Sequence, residues 1–300
     1  MKNNGIWHIL AIVTVIFWGT SFVSTKVLLN HGFTAVQVFT LRFAVTYLML
    51  LAASHKHFRS KCWKDELILF ISGISGCTLY FWTENTALSL SPSSNVSLIV
   101  CTNPLLTMIL GGLLYKSERL GKRQVAGCLF TFIGMVLVVL NGKFILNLSP
   151  VGDFLAFGAA LLWTIYSLVV RQLNGKYSAL FITRKMFFYG FLTSIPALLL
   201  EAGGDISKAL DIPWKNFSEP VVSINFLCLT VFSSLFGYLI WNKVLKQLGT
   251  VLASNYIYAI PLVTVITAMA TIGERITPLA WAGAAAIVSG MVIAEYKGRR

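Results

Sequence analysis

Apolar residues run unbroken for about twenty positions at a time along this chain, and short polar gaps separate the runs. The runs are His8–Leu29, Val36–Ala53, Leu67–Ala87, Ser93–Tyr115, Val125–Leu140, Gly152–Val170, Ala179–Leu200, Val221–Trp241, Thr250–Ile272 and Leu279–Tyr296. A helix of about twenty such residues crosses a hydrocarbon core roughly 30 Å thick. The runs do not alternate apolar with polar, as the strands of a membrane barrel do. The pattern therefore predicts an all-α integral membrane protein with ten transmembrane helices.

The basic residues test that map. Sixteen of the 24 Lys and Arg fall in gaps on one side of the ten-span layout, four fall on the other, and Lys26, Arg42, Arg184 and Lys185 lie within spans. A missed or invented helix would scramble the two groups. By the positive-inside rule both termini are cytoplasmic, and a bacterial-type inner membrane is expected. Only 12% of the residues are charged and 56% are hydrophobic, where soluble domains are nearer a quarter charged. The net charge of +13 is spread over inter-span gaps, so a nucleic-acid surface is not indicated. The chain passes from Lys2 straight into a full-length apolar run, which is too long for a cleavable signal segment. Five scattered cysteines without a CxxC pair support neither a disulfide framework nor a zinc site. The gap Glu201–Pro220, on the poorly basic side, carries four carboxylates against two lysines, and an interfacial segment is expected around Ile212–Phe217.

The chain also repeats itself. Residues 118–136 reappear at 274–292 with seven of nineteen columns identical: Glu118/Glu274, Arg119/Arg275, Ala126/Ala282, Gly127/Gly283, Gly134/Gly290, Met135/Met291 and Val136/Val292. At an offset of 157, Asn85 matches Asn242, Leu88 matches Leu245, and Pro104-Leu105 matches Pro261-Leu262. Trp18 followed by Lys26 is echoed by Trp163 followed by Arg171. The predicted units are 1–145 and 146–300, with five spans each. An odd number of spans turns the second copy over in the bilayer, the design of many carriers.

FWGTSF near the start, LRF at Leu41–Phe43, NPLLT…SER and IPLVT…GERITPLAWAG stand in this order. The set resembles the EamA branch of the drug/metabolite transporter superfamily over nearly the whole chain. The resemblance implies a ten-helix bundle of two inverted five-helix repeats around a central cavity. It also implies secondary transport or export of small metabolites such as amino acids. One departure stands out: LWTIYS at Leu162–Ser167 replaces FWGTSF and lacks its glycine, so looser packing is expected there.

Candidate substrate contacts are polar and aromatic residues on shared helix faces. Trp18, Ser21, Phe22 and Thr25 share one face of the first span, and Trp163, Tyr166 and Ser167 hold the matching stripe of the sixth. Helix packing alone would also account for them. The third span offers Tyr80, Glu84 and Asn85, the fourth Asn95 and Thr102, the eighth Tyr238 and Asn242, and the ninth Asn255 and Tyr258. Pro104 and Pro261 each free a backbone carbonyl one turn upstream. Lipid tolerates such breaks only where the backbone is buried or lines water, so matched prolines point to a cavity between the fourth and ninth spans; simple kinks are the other reading. Glu84 is the single carboxylate well inside a span and is the candidate for proton coupling. Lys26 lies at similar depth and is a candidate partner for it in coupling; the other reading is snorkelling to the nearby surface or a structural ion pair. Arg42 lies deeper, where it meets either an anionic substrate or a helix terminus. Arg184 and Lys185 are near enough to the inner surface to snorkel. Glu118-Arg119 and Glu274-Arg275 cap the following helices or latch one conformation, and the small residues Gly127, Gly134, Ala282, Gly283 and Gly290 mediate helix contacts.

No GxxxxGK[ST] loop is present, so ATP is not the direct driver, and no cofactor is expected. His8, His31, His55 and His57 lie at a helix end or in gaps, without HExxH or GxSxG, which leaves an intramembrane enzyme as the remote alternative. The expected partners are a small-molecule substrate and the lipid bilayer. A uniporter or importer of a small anionic or nucleoside-like solute is the nearer alternative.

Overall fold

A computed structural model describes residues 5–54, 58–91, 93–116, 120–140, 149–272 and 277–295. They form α1 (Gly5–Asn30), α2 (Ala35–Ala53), α3 (Trp63–Leu90), α4 (Val96–Leu114), α5 (Lys122–Leu140), α6 (Pro150–Leu173), α7 (Ala179–Glu201), α8 (Pro220–Leu248), α9 (250–272) and α10 (Pro278–Glu295). Among the described residues there is no strand, only an isolated bridge between Asn174 and Tyr177. Six helices, α1, α2, α3, α4, α6 and α8, are long and apolar enough to cross a membrane. Ile9, Leu113, Phe154, Trp281 and Val288 are exposed on the outside, whereas Thr14, Thr46, Thr164 and Ser167 are buried. That is the reverse of a water-soluble protein, and lipid is the solvent that favours it.

Local sequence sets where helices start. Thr34 opens α2 with a reciprocal capping box, its side chain accepting from the Gln37 amide while Gln37 accepts from the Thr34 amide; this satisfies two donors that a helix start leaves over. Ser178 caps α7 through the Phe181 amide, and Pro150 begins α6, where no amide is needed.

Among the described residues four helices are interrupted in their interior by departures from α geometry, and these interruptions are paired at the 157-residue offset. Wide π turns occupy Ile74–Thr78 in α3 and Cys228–Phe236 in α8. A turn at Cys101–Thr102 interrupts α4 before Pro104, and a 3₁₀ turn at Tyr256–Ala259 interrupts α9 before Pro261. The prolines cannot donate to Val100 and Ile257, and side chains fill both places. Asn103 Nδ2 donates to the Val100 carbonyl at 3.1 Å, and Cys101 Sγ donates to the Ile257 carbonyl at 3.7 Å. The second contact joins the break in α4 to the break in α9.

Helices α5 and α10 pack backbone to backbone. A Cβ on Gly134 would lie 2.7 Å from the Gly283 carbonyl oxygen, and one on Gly127 would lie 2.7 Å from that of Gly290. Gly19 lets α1 come close to the Val263 side chain of α9. The expected loosening at its counterpart does not occur. Thr164 is fully buried, and its hydroxyl contacts the Asn103 carbonyl oxygen at 3.3 Å, so a polar contact to α4 takes the place of close approach.

Polar contacts tie the two halves of the chain at both ends of the bundle. At one end, Asp65 accepts from Lys176 and from the Tyr177 hydroxyl, each at 2.8 Å, and Glu66 takes Lys185 at 2.5 Å and the Tyr189 hydroxyl. Arg184 does not snorkel. It is buried, donates to the Ser54 carbonyl that ends α2, and stacks 4.8 Å over Phe58; a helix C-terminus with spare carbonyls holds a cation well. Lys185 likewise finds Glu66 rather than the surface. At the other end, Thr34 donates to Glu201, Gln37 to the Asp211 carbonyl and Asn216 to the His31 carbonyl. Ile212 and Phe217 pack there against Leu28, Phe33 and Val222, in the segment expected to be interfacial. The pairs Glu118-Arg119 and Glu274-Arg275 lie outside the described residues. We expect Asp65→Asn to lower the thermal unfolding midpoint, because the buried carboxylate loses its charge beside Lys176 and Tyr177, with the half-exposed lysine limiting the loss. An unchanged midpoint would contradict that role.

Candidate functional site

The breaks, the π turns and the first-half and second-half aromatic faces converge on one buried cavity of about 30 Å³. Helix α1 contributes Trp18, Ser21 and Phe22, α2 contributes Arg42, and α3 contributes Tyr80, Phe81 and Glu84. Val100, Cys101 and Asn103 come from the break in α4, and Ile257 and Ile260 from the break in α9. Val100/Ile257 and Asn103/Ile260 are themselves pairs at the 157-residue offset. Trp163 of α6 and Ser233 and Tyr238 of α8 complete the wall.

Aromatic rings hold the cavity together. Trp18 meets Trp163 edge to face with centroids 5.0 Å apart, and Trp163 lies 5.0 Å from Tyr80 and 5.8 Å from Tyr238. Carbonyls within the π turns anchor two of these rings from their polar ends. Trp18 Nε1 donates to the Ser233 carbonyl at 3.1 Å, and the Tyr238 hydroxyl donates to the Gly76 carbonyl at 2.6 Å. A wide turn leaves such acceptors available, which is why π turns recur at functional positions.

Two opposite charges face this space. Glu84 is buried and accepts from the Tyr80 hydroxyl at 2.6 Å. Arg42 is buried, donates through Nε to Ser234 and through Nη2 to Ser233 at 3.0 Å, and lies 4.5 Å over the Phe81 ring. They do not form an ion pair with each other. Two further polar atoms of the wall, Asn103 Oδ1 and Trp163 Nε1, are buried without a hydrogen-bond partner among the described residues.

Of the residues singled out from sequence, Trp18, Ser21, Tyr80, Glu84, Trp163 and Tyr238 line the cavity. Others stand behind it. The Tyr166 hydroxyl donates to Asn242 Oδ1 at 3.0 Å, and Asn242 Nδ2 donates to Thr183 at 3.0 Å, tying α6, α8 and α7 together. Asn85 donates to the Ala35 carbonyl, and Thr102 to the Ile99 carbonyl in its own turn. Thr25 and Asn255 are buried off the cavity, and Tyr258 packs against Phe132 of α5. The side chain of Asn95 lies outside the described residues. Lys26 is not Glu84's partner: its Nζ donates to the Leu88 carbonyl at 3.1 Å. That acceptor lies in the last turn of α3, where carbonyls have no helical partner. Phe22 and Arg42, also named from the sequence, line the cavity as well, Arg42 with an anionic substrate as one of its two expected contacts. Asn103, the polar residue immediately before Pro104, and Ser233 complete the polar part of the wall.

Two other spaces are larger and lie elsewhere. A groove of about 670 Å³ between α1, α9 and α10 is lined almost entirely by apolar side chains such as Ile12, Ile16, Leu262 and Val288. A cleft of about 390 Å³ at the end carrying Thr34, Gln37, Glu201 and Lys208 is polar. Neither brings aromatic, charged and unpaired polar groups together as the small cavity does. Among the described residues no group of His, Cys, Asp or Glu is arranged to hold a metal ion.

Known proteins bear on this arrangement. The sequence pattern of the EamA-like transporter family matches residues 5–140 and again residues 150–296. The uncharacterized transporter YyaM of Bacillus subtilis is 28% identical over 98% of this chain and 95% of its own. A probable amino-acid metabolite efflux pump of Salmonella typhimurium is 25% identical over 95% of this chain and 93% of its own. A probable terminal-alkyne amino-acid exporter of Streptantibioticus cattleyicolor is 21% identical over 99% and 96%. A crystal structure superposes with a TM-score of 0.72 at 19% identity, covering 96% of both chains, and so shares the fold. These relatives are named as transporters and pumps rather than enzymes. Two family matches that together span nearly the whole chain, on a bundle whose apolar side faces outward, make it an integral membrane protein that belongs to the EamA-like transporter family.

Proposed function

We propose that this chain is a secondary exporter of small metabolites, amino acids foremost, and that it works by alternating access. In this reading the ten helices are ten spans, arranged as two five-helix repeats of opposite polarity, 1–145 and 146–300. Both termini are cytoplasmic, in a bacterial-type inner membrane. The observation that carries the reading is the meeting of offset-matched helix breaks at a cavity of about 30 Å³. That is room for one or two waters, whereas small-molecule sites are typically about 300–1,000 Å³. A solute enters only if the halves separate at one end, and the polar ties at both ends are the contacts that must break in turn. The named relatives that export amino acids or their metabolites support the substrate class.

Two experiments test this. Purified protein in liposomes loaded with amino acids should give saturable flux accelerated by solute on the opposite side; flux that neither saturates nor exchanges would indicate a channel. Tags at Arg123 and Lys143 should be reached from opposite sides of the membrane, and the same side for both would end the inverted arrangement. Glu84 is the proton-coupling residue in this scheme. Arg42, Tyr80, Cys101 and Tyr238 are the other titratable groups around it. Glu84→Gln should remove the pH dependence of flux, and an unchanged pH profile would take Glu84 out of coupling.

A further inference from the structure

We infer that the cavity is a zwitterion site, in which Arg42 takes the carboxylate and Glu84 the ammonium group of an amino acid with an uncharged side chain. The inference rests on the exporter reading above and assigns the substrate contacts within it.

A buried guanidinium and a buried carboxylate ordinarily pair, because each is costly alone in a low-dielectric interior and removing either leaves the other uncompensated. Here both line one cavity and remain apart. Arg42 spends Nε and Nη2 on the hydroxyls of Ser234 and Ser233, neutral acceptors that position it without cancelling its charge. Its Nη1 has no acceptor among the described residues. Glu84 spends Oε1 on the Tyr80 hydroxyl, again a neutral partner. The spare cation and the spare carboxylate thus face the same space from α2 and α3. A solute carrying a carboxylate and an ammonium group compensates both at once. A purely anionic or purely cationic solute compensates one and leaves the other bare.

The rest of the wall specifies the side chain. Phe22, Val100, Ile257 and Ile260 are apolar, and no further charged residue lines the cavity. A charged side chain would meet nothing to offset its desolvation. Asn103 Oδ1, a buried acceptor without a donor, is a second contact for an ammonium hydrogen. Arg42 also ties α2 to the π turn of α8, so a purely structural role must be separated from recognition.

The separating measurement is selectivity rather than rate. Protein in liposomes is given the twenty amino acids, a set of nucleosides and a set of sugar phosphates in saturable counterflow. The amino acid that moves fastest is then compared with its amide, which lacks the carboxylate, and its N-acetyl derivative, which lacks the ammonium. We expect wild-type protein to disfavour each derivative by about tenfold or more, the worth of one charge-assisted hydrogen bond. Arg42→Gln should depress the amino acid by a similar factor while sparing the amide, so that the two move alike. Glu84→Gln should do the same for the N-acetyl derivative. A structural role instead lowers every solute by one factor, and that result overturns the inference. If either variant fails to fold, the wild-type preference decides alone: derivatives moved as well as the parent overturn it. Flux of nucleosides or sugar phosphates without amino acids defeats the zwitterion assignment and leaves a transporter. No saturable flux of any solute defeats the exporter reading itself, and this inference with it.

Discussion

Gly283→Leu is expected to abolish recovery of folded protein. A Cβ at 283 would lie 2.6 Å from the Gly134 carbonyl oxygen and 2.8 Å from the Val138 nitrogen, and a Cβ at Gly134 would meet the Gly283 oxygen and the Ile287 nitrogen at 2.7 Å. These neighbours are backbone atoms of α5 and α10, so no side chain can rotate away. Between helices in lipid the driving force is close packing rather than exclusion of water. Forcing the pair apart therefore removes the attraction itself. Overpacking a well-filled core costs about 1–3 kcal/mol, and a leucine against backbone on both sides of the seam belongs at or beyond the upper end. Gly158→Leu on α6 is the control, because a Cβ there meets nothing within 4 Å. Thermal unfolding in detergent should separate the two variants clearly, and equal midpoints would show that the seam is not as tight as described.

Trp163→Ala is expected to have the largest effect on transport. Its ring touches Trp18, Tyr80, Tyr166 and Tyr238, and the residue is only 4% exposed. Truncating a buried tryptophan costs about 3–5 kcal/mol in water-soluble cores, part of it transfer from water and part of it the void left behind. In lipid the transfer part shrinks, but the void part remains, because surrounding lipid cannot reach this interior site. The rings that define the cavity would then settle differently, and flux should fall to the level of empty liposomes. Trp163→Phe keeps most of the packing and removes the indole N–H, which has no partner in the wall. It should lose less stability than Trp163→Ala, because most of the aromatic volume stays in place. Wild-type flux through Trp163→Ala would remove this residue from the site.

Some features of the site are legible in the sequence because local chemistry imposes them wherever the residue sits. Pro104 and Pro261 have no amide hydrogen, so the carbonyls of Val100 and Ile257 were bound to lose their helical donors. The face shared by Trp18 and Ser21 follows from helical periodicity, as does the position of Trp163 at its counterpart. The glycines at 127, 134, 283 and 290 lack a side chain, and that absence is what a close helix seam needs. The expectations for Lys26, Arg184 and the missing glycine at Thr164 failed for a common reason. Each depended on which acceptor another helix would present: the Leu88, Ser54 and Asn103 carbonyls respectively.

The sequence by itself determined that lipid is the solvent, where helices start and break, and that the same unit occurs twice, because hydrophobic length, missing amide hydrogens and repeated residues are properties of the chain alone. Only the tertiary structure decided which polar groups find partners. It gave Lys26 a carbonyl, locked Tyr166 to Asn242 behind the wall, and left Arg42 and Glu84 facing one small space unpaired. The physical reason is that a long side chain can satisfy its charge with any acceptor within reach, and reach is set by how separate helices pack.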